Sequence, residues 1–85
     1  MDIKVPKYCE NGLKFIWEDG FQIKCSVDEE KNVCIEANPA GLISLARHLL
    51  MLAQNEVPEN EHFHLDEYNS LESGSAELVI VKKNV

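Results

Sequence analysis

The stretch "ANPAGLISLARHLLMLAQN" constrains this chain more than any other. Asn38 can accept hydrogen bonds from the first helical amides, and Pro39 stands where an amide would lack a partner anyway. Leu42, Leu45, Ala46, Leu49, Leu52 and Ala53 then recur at spacings of three and four, which predicts an amphipathic helix. Ile43, Leu50 and Met51 widen the stripe. A helix this apolar must lie on a sheet, and Ser44, Arg47, His48 and Gln54 are expected toward water or at the helix edge. Gly41, in the first turn, is expected to permit close helix–sheet packing.

The rest of the chain supplies strands. In "GLKFIWEDGFQIKCSV", Leu13, Phe15 and Trp17 alternate with Lys14 and Glu18, Asp19-Gly20 is a hairpin turn signal, and Phe21, Ile23, Cys25 and Val27 alternate again. "NVCIEA" predicts a third strand with Val33, Ile35 and Ala37 inward. After Pro58 ends the helical region, "HFHLD" is a fourth strand and "SAELVIVKK" a fifth. The expected fold is therefore α+β: a single, mostly antiparallel sheet of about five strands in the order β-β-β-α-β-β, with one long amphipathic helix on one face. A chain of 85 residues buries only roughly 60–65% of its unfolded surface, enough for one core. Residues 1–85 are expected to form one domain, with residues 1–10 flexible or an edge segment.

Charge is distributed unevenly. Residues 1–47 carry 6 Lys/Arg against 8 Asp/Glu, residues 48–81 carry none against 7, and Lys82 and Lys83 close a chain of net charge −7. Such a chain repels phosphate backbones and anionic membranes, so neither nucleic acid nor membrane is an expected partner. The start has no apolar leader-like run, and Cys9, Cys25 and Cys34 have neither disulfide-framework nor C-x-x-C spacing. A cytoplasmic protein with reduced thiols is expected.

The chemistry-bearing candidates lie in "ENEHFHLDEYNS". On a strand, His62, His64 and Asp66 share one face, while Phe63 and Leu65 share the other. Imidazole and carboxylate donors suit zinc, but same-face residues of one strand stand roughly 6.5–7 Å apart, so a metal site on His62, His64 and Asp66 is the weaker alternative and no cofactor is expected. Cys34 with His64 would be a thiolate–imidazole pair, yet no nucleophile elbow or phosphate-binding loop accompanies it, so no catalytic residue and no enzyme is expected. Glu59, Glu61, His62, His64, Asp66 and Glu67 remain as a partner-binding set. Their acidic members cluster with no lysine or arginine nearby in sequence. Asp66 is also placed to cap the turn "DEYNS". Outward-facing Val79 and Val81 would invite pairing between protomers, which makes a homodimer an option.

Taken together, "IEANPAGLISLARHLLMLA", "HFHLDEYNSLESGS" and "AELVIVKK" resemble the immunity protein 32 family of bacterial polymorphic toxin systems across residues 33–83. The resemblance rests on the Asn38 region, the leucine-rich helix, His64-Leu65-Asp66, and Gly74-Ser75 before the last strand. It implies a cytoplasmic antitoxin that binds and neutralises a cognate protein toxin. The charge adds a physical route, an acidic surface that occupies a basic groove. A metal-binding protein and a homo-oligomeric interaction module stand as the other readings.

Overall fold

Asn38 organises the start of the helix and the loop before it. Its Oδ1 accepts hydrogen bonds from the Gly41 amide at 2.8 Å and the Gln22 amide at 3.0 Å, while its Nδ2 donates to the Gly20 carbonyl at 2.9 Å. One side chain thus caps the helix and clips the preceding turn to it. The computed structural model describes residues 1–9 and 12–85; of the expected segment 1–10, Glu10 lies outside the described residues.

The chain runs β1 (Ile23–Val27), β2 (Val33–Ala37), α1 (Pro39–Leu52), β3 (His62–Leu65) and β4 (Leu78–Val81). β1 pairs antiparallel with β2, Cys25 facing Ile35, and β3 pairs antiparallel with β4, Phe63 facing Ile80. The α+β class is as expected, but the strands form two two-stranded sheets in place of one five-stranded sheet.

The strand expected over residues 13–17 is absent, for a visible reason. The backbone at its end is taken by helix side chains: the Ile16 carbonyl accepts from Arg47 Nη1 at 3.2 Å, and just beyond it the Glu18 amide donates to Ser44 Oγ at 2.9 Å. The Asp19-Gly20 turn does form, with Gly20 at φ 76°, and it folds Trp17 onto Phe21 with ring centroids 4.3 Å apart. Alternation without a partner strand does not make a strand.

A polar segment joins the two sheets. The Glu72 amide donates to the Ile23 carbonyl and the Ala76 amide to the Cys25 carbonyl, both at 2.8 Å, and the Cys25 amide donates to Ser75 Oγ at 3.2 Å. Residues 72–76 thereby cover the edge of β1 that β2 leaves open.

The core holds Ile23, Cys25, Leu52, Val57, Phe63, Leu65 and Leu71, with Trp17, Phe21, Leu45, Leu78 and Ile80 packed against it. The face of α1 turned inward overturns the expectation. Ser44, Arg47 and His48 are buried, together with Gly41, Met51 and Leu52, whereas Leu42 (55%), Leu49 (45%) and Leu50 (49%) are exposed. Ser44 and Arg47 go inside because the N-terminal segment offers them partners, the Glu18 amide for Ser44 Oγ among them. Arg47 Nε donates to the Lys4 carbonyl at 3.0 Å, and Gln54 holds Pro6 and Tyr8 through their backbone at 2.9 and 3.0 Å. Gly41 acts as expected. A Cβ there would stand 2.5 Å from the Gln22 carbonyl oxygen and 2.9 Å from Ile23 Cγ1.

Candidate partner-binding surface

β3 sorts its residues as its period requires. Phe63 and Leu65 are buried, so His62 and His64 stand on the outer face, opposite Val81 and Val79 of β4. The two histidines do not converge. His62 Nδ1 lies 3.4 Å from the Asn60 carbonyl oxygen, and Asn60 itself has a positive φ of 76°.

His64 has different neighbours. Its Nε2 is 3.5 Å from Glu77 Oε2 and 3.9 Å from Asp66 Oδ2. The donor atoms of His64, Asp66 and Glu77 all lie within 4.8 Å of one another, so a cluster forms with Glu77 where His62 was expected. Glu77 follows from the register: with Leu65 paired to Leu78, the next pair outward is Asp66 and Glu77. Only the β3–β4 alignment brings Glu77 to this cluster.

Asp66 also organises the turn after β3, as its sequence position suggested. Its Oδ1 accepts from the Tyr68 amide at 2.9 Å, its carbonyl accepts from the Asn69, Ser70 and Leu71 amides, and its own amide donates to Asn69 Oδ1 at 3.0 Å. The turn buries Leu71 and leaves Tyr68 almost fully exposed. Glu67 is engaged as well, its Oε2 accepting from the Gly74 amide at 2.7 Å.

The acidic stretch does not stand clear of positive charge. The C-terminal lysines fold back onto it: Lys82 Nζ donates to the Gln54 and Val57 carbonyls, and Lys83 Nζ to Asn60 Oδ1 at 3.0 Å. Glu59 Oε1 accepts from the Asn84 amide at 3.1 Å. Of the six residues expected to bind a partner, Glu59, Asp66 and Glu67 accept backbone hydrogen bonds in the loops, while His62 reaches the Asn60 carbonyl oxygen and His64 faces Asp66 and Glu77.

A cleft of about 300 Å³ opens beside His64, lined by Phe15, Trp17, Leu65, Asn69 and Ser70. Phe15 and Trp17 also make edge contacts with His48, at ring-centroid distances of 4.9 and 4.4 Å. His48 is fully buried, and neither ring nitrogen has a hydrogen-bond partner. Burial holds its pKa below the ordinary value of 6.5; the nearby Ile16 carbonyl opposes that shift and the Arg47 charge adds to it. Cys34 and His64 lie in different sheets, on β2 and β3, and all three cysteines are free. Among the described residues, no helix is long and apolar enough to cross a membrane.

These features define a small α+β protein whose β3–β4 sheet leaves His62, His64, Val79 and Val81 exposed on its outer face. It belongs to the immunity protein 32 family, whose sequence model matches residues 33–83, from the start of β2 through the end of β4. No curated protein and no solved structure matches the chain.

Proposed function

We propose that this protein is an immunity protein that binds a cognate bacterial toxin in the cytoplasm and neutralises it without catalysis. Family membership across residues 33–83 carries the reading, because the matched region contains the whole outer face of β3 and β4. That face offers what a protein partner needs: half-exposed Val79 and Val81 for apolar contact, His62 and His64 opposite them, and Asp66 and Glu77 beside His64, with Glu59, Glu61 and Glu67 in the flanking segments of the sequence. An acidic rim steers a basic toxin toward this surface. The test is co-expression with toxin domains encoded in the genomic neighbourhood, followed by purification of the complex. Growth protection with a stable complex supports the reading; a folded protein that neither protects nor binds any of them refutes it.

The donor cluster of His64, Asp66 and Glu77 supports a second reading, in which the same face holds a divalent cation. Zinc would then raise the melting temperature by mass action, and Glu77→Ala would abolish the rise. No such rise, or a rise that Glu77→Ala leaves unchanged, removes this reading.

A further inference from the structure

We propose that the chain pairs with a second copy of itself, antiparallel, through the exposed face of α1. This goes beyond toxin binding and rests on a different surface. Leu42, Ala46, Leu49 and Ala53 follow one another at spacings of 4, 3 and 4 along the side of α1 that turns away from the core. Those are seam positions of a helix pair, and they alternate large and small. Read in reverse, the same four residues run small, large, small, large. Two copies related by a twofold axis therefore set Leu42 against Ala53 and Leu49 against Ala46 at every level, each leucine over an alanine of the other helix. The helix is its own complement.

The surroundings favour a second copy as the occupant. A cleft of about 560 Å³ lies between Leu49, Leu52 and Ala53 on one side and residues 82–85 on the other. It opens where the antiparallel register delivers Leu42 of the second copy. Charge points the same way. Copies of net charge −7 repel one another over most of their surfaces, but the four seam positions of α1 carry no charge and the cleft beside them is lined by Lys82 and Lys83. Arg47, the one charged residue from Pro39 to Leu52, turns inward to Glu18. Antiparallel alignment also lays the positive end of each helix dipole beside the negative end of the other.

The seam from Leu42 to Ala53 is about 16 Å long, at about 1.5 Å per residue. A seam this short is expected to give a weak pairing, with dissociation in the micromolar range.

Sedimentation equilibrium on the full chain, with reductant present to keep Cys9 and Cys34 apart, tests the pairing. A reversible monomer–dimer equilibrium is expected across the micromolar range. Leu49→Glu should raise the dissociation constant by about 100-fold, because two charges enter one apolar seam. Ala46→Leu, which crowds the seam, and Leu49→Ala, which leaves a gap, should each weaken it by about 10-fold. The double variant A46L/L49A restores large against small and should return to within about three-fold of wild type, a rescue that a merely sticky surface would not give. Melting curves confirm that each variant is folded. Three outcomes overturn the proposal: a protein monomeric at high micromolar concentration, a dimer indifferent to Leu49→Glu, or a double variant no better than the weaker single. A monomer whose folded Leu49→Glu variant loses toxin binding also overturns it and gives the face to the toxin.

Discussion

Arg47 Nη2 donates to Glu18 Oε1 at 2.8 Å, and the two residues are unequal partners: the Arg47 side chain is 11% exposed and that of Glu18 41%. Arg47 further donates to the Lys4 and Ile16 carbonyls, so it binds two stretches of the N-terminal segment to α1 at once. Arg47→Ala should cost about 2–4 kcal/mol, because several charge-assisted bonds go and buried carbonyls lose their donor. Glu18→Gln should cost about 1 kcal/mol or less, since the pair is open to water on its side. Urea midpoints measure both, and equal losses would show that the ion pair alone, without the carbonyl bonds, holds the segment.

His48 makes stability depend on pH. Its pKa is depressed in the folded chain, so below about 6.5 the unfolded chain takes up a proton that the folded chain refuses. Stability is full above that value and falls as pH drops through the window beneath it, by at most about 1.4 kcal/mol per pH unit for one proton. His48→Leu should remove this slope and match or exceed wild-type stability at pH 7, because no hydrogen bond is lost. Unfolding curves from pH 8 to pH 5 for both proteins provide the comparison; parallel curves would refute the assignment.

The two sides of α1 should respond differently to truncation. Leu52→Ala and Met51→Ala remove buried side chains and should cost about 2–5 kcal/mol each. Leu49→Ala should cost under about 1 kcal/mol in the monomer. Thermal melts at low concentration decide the matter, and a large loss at Leu49 would place the helix the other way round.

Gly41→Ala should destabilise by about 1–3 kcal/mol or more, although alanine is the better helix former. The added methyl meets the Gln22 carbonyl oxygen, a backbone atom that cannot swing aside. A variant that melts at or above the wild-type temperature would show that α1 stands further from residues 22–23.

For toxin binding, Glu61→Lys with Glu77→Lys is the informative pair, since neither carboxylate caps a loop as those of Glu59 and Glu67 do. Folding should be nearly unchanged, within about 0.5 kcal/mol per site. The association rate should drop at low salt, and the deficit should shrink as the Debye length falls from about 10 Å at 0.1 M toward about 3 Å at 1 M. Stopped-flow association with the cognate toxin measures this; an unaltered rate would leave the valines as the contact.

Much of the framework was legible in local residue patterns. Asn38 and Pro39 mark the start of α1, and alternation marks β1 and β3, because capping and strand period are properties of neighbours in sequence; β4 is apolar at every position, and Val33 and Ile35 of β2, expected inward, are exposed. The orientation of α1 was not legible. With leucines, isoleucine and methionine nearly all round, no single stripe is singled out, and the choice falls to the N-terminal segment, whose carbonyls and amides satisfy Ser44, Arg47 and Gln54 from afar. The site was half legible for the same reason. His64 and Asp66 share a strand face, but Glu77 joins them only through the β3–β4 register, and the lysines come back over the acidic stretch only when the chain closes.

The segment 72–76 on the edge of β1 bears on how the chain is made. β1 and β2 are complete by residue 37, yet the bonds that shield the free edge of β1 join positions some 50 residues apart, as in the Cys25 amide to Ser75. Contacts of such separation form late and slowly. During synthesis the hairpin therefore emerges with an unpaired edge, open to strands of neighbouring nascent chains, until residues 72–76 have been made. A chain stopped after α1 would be a seed for aggregation rather than half a folded domain.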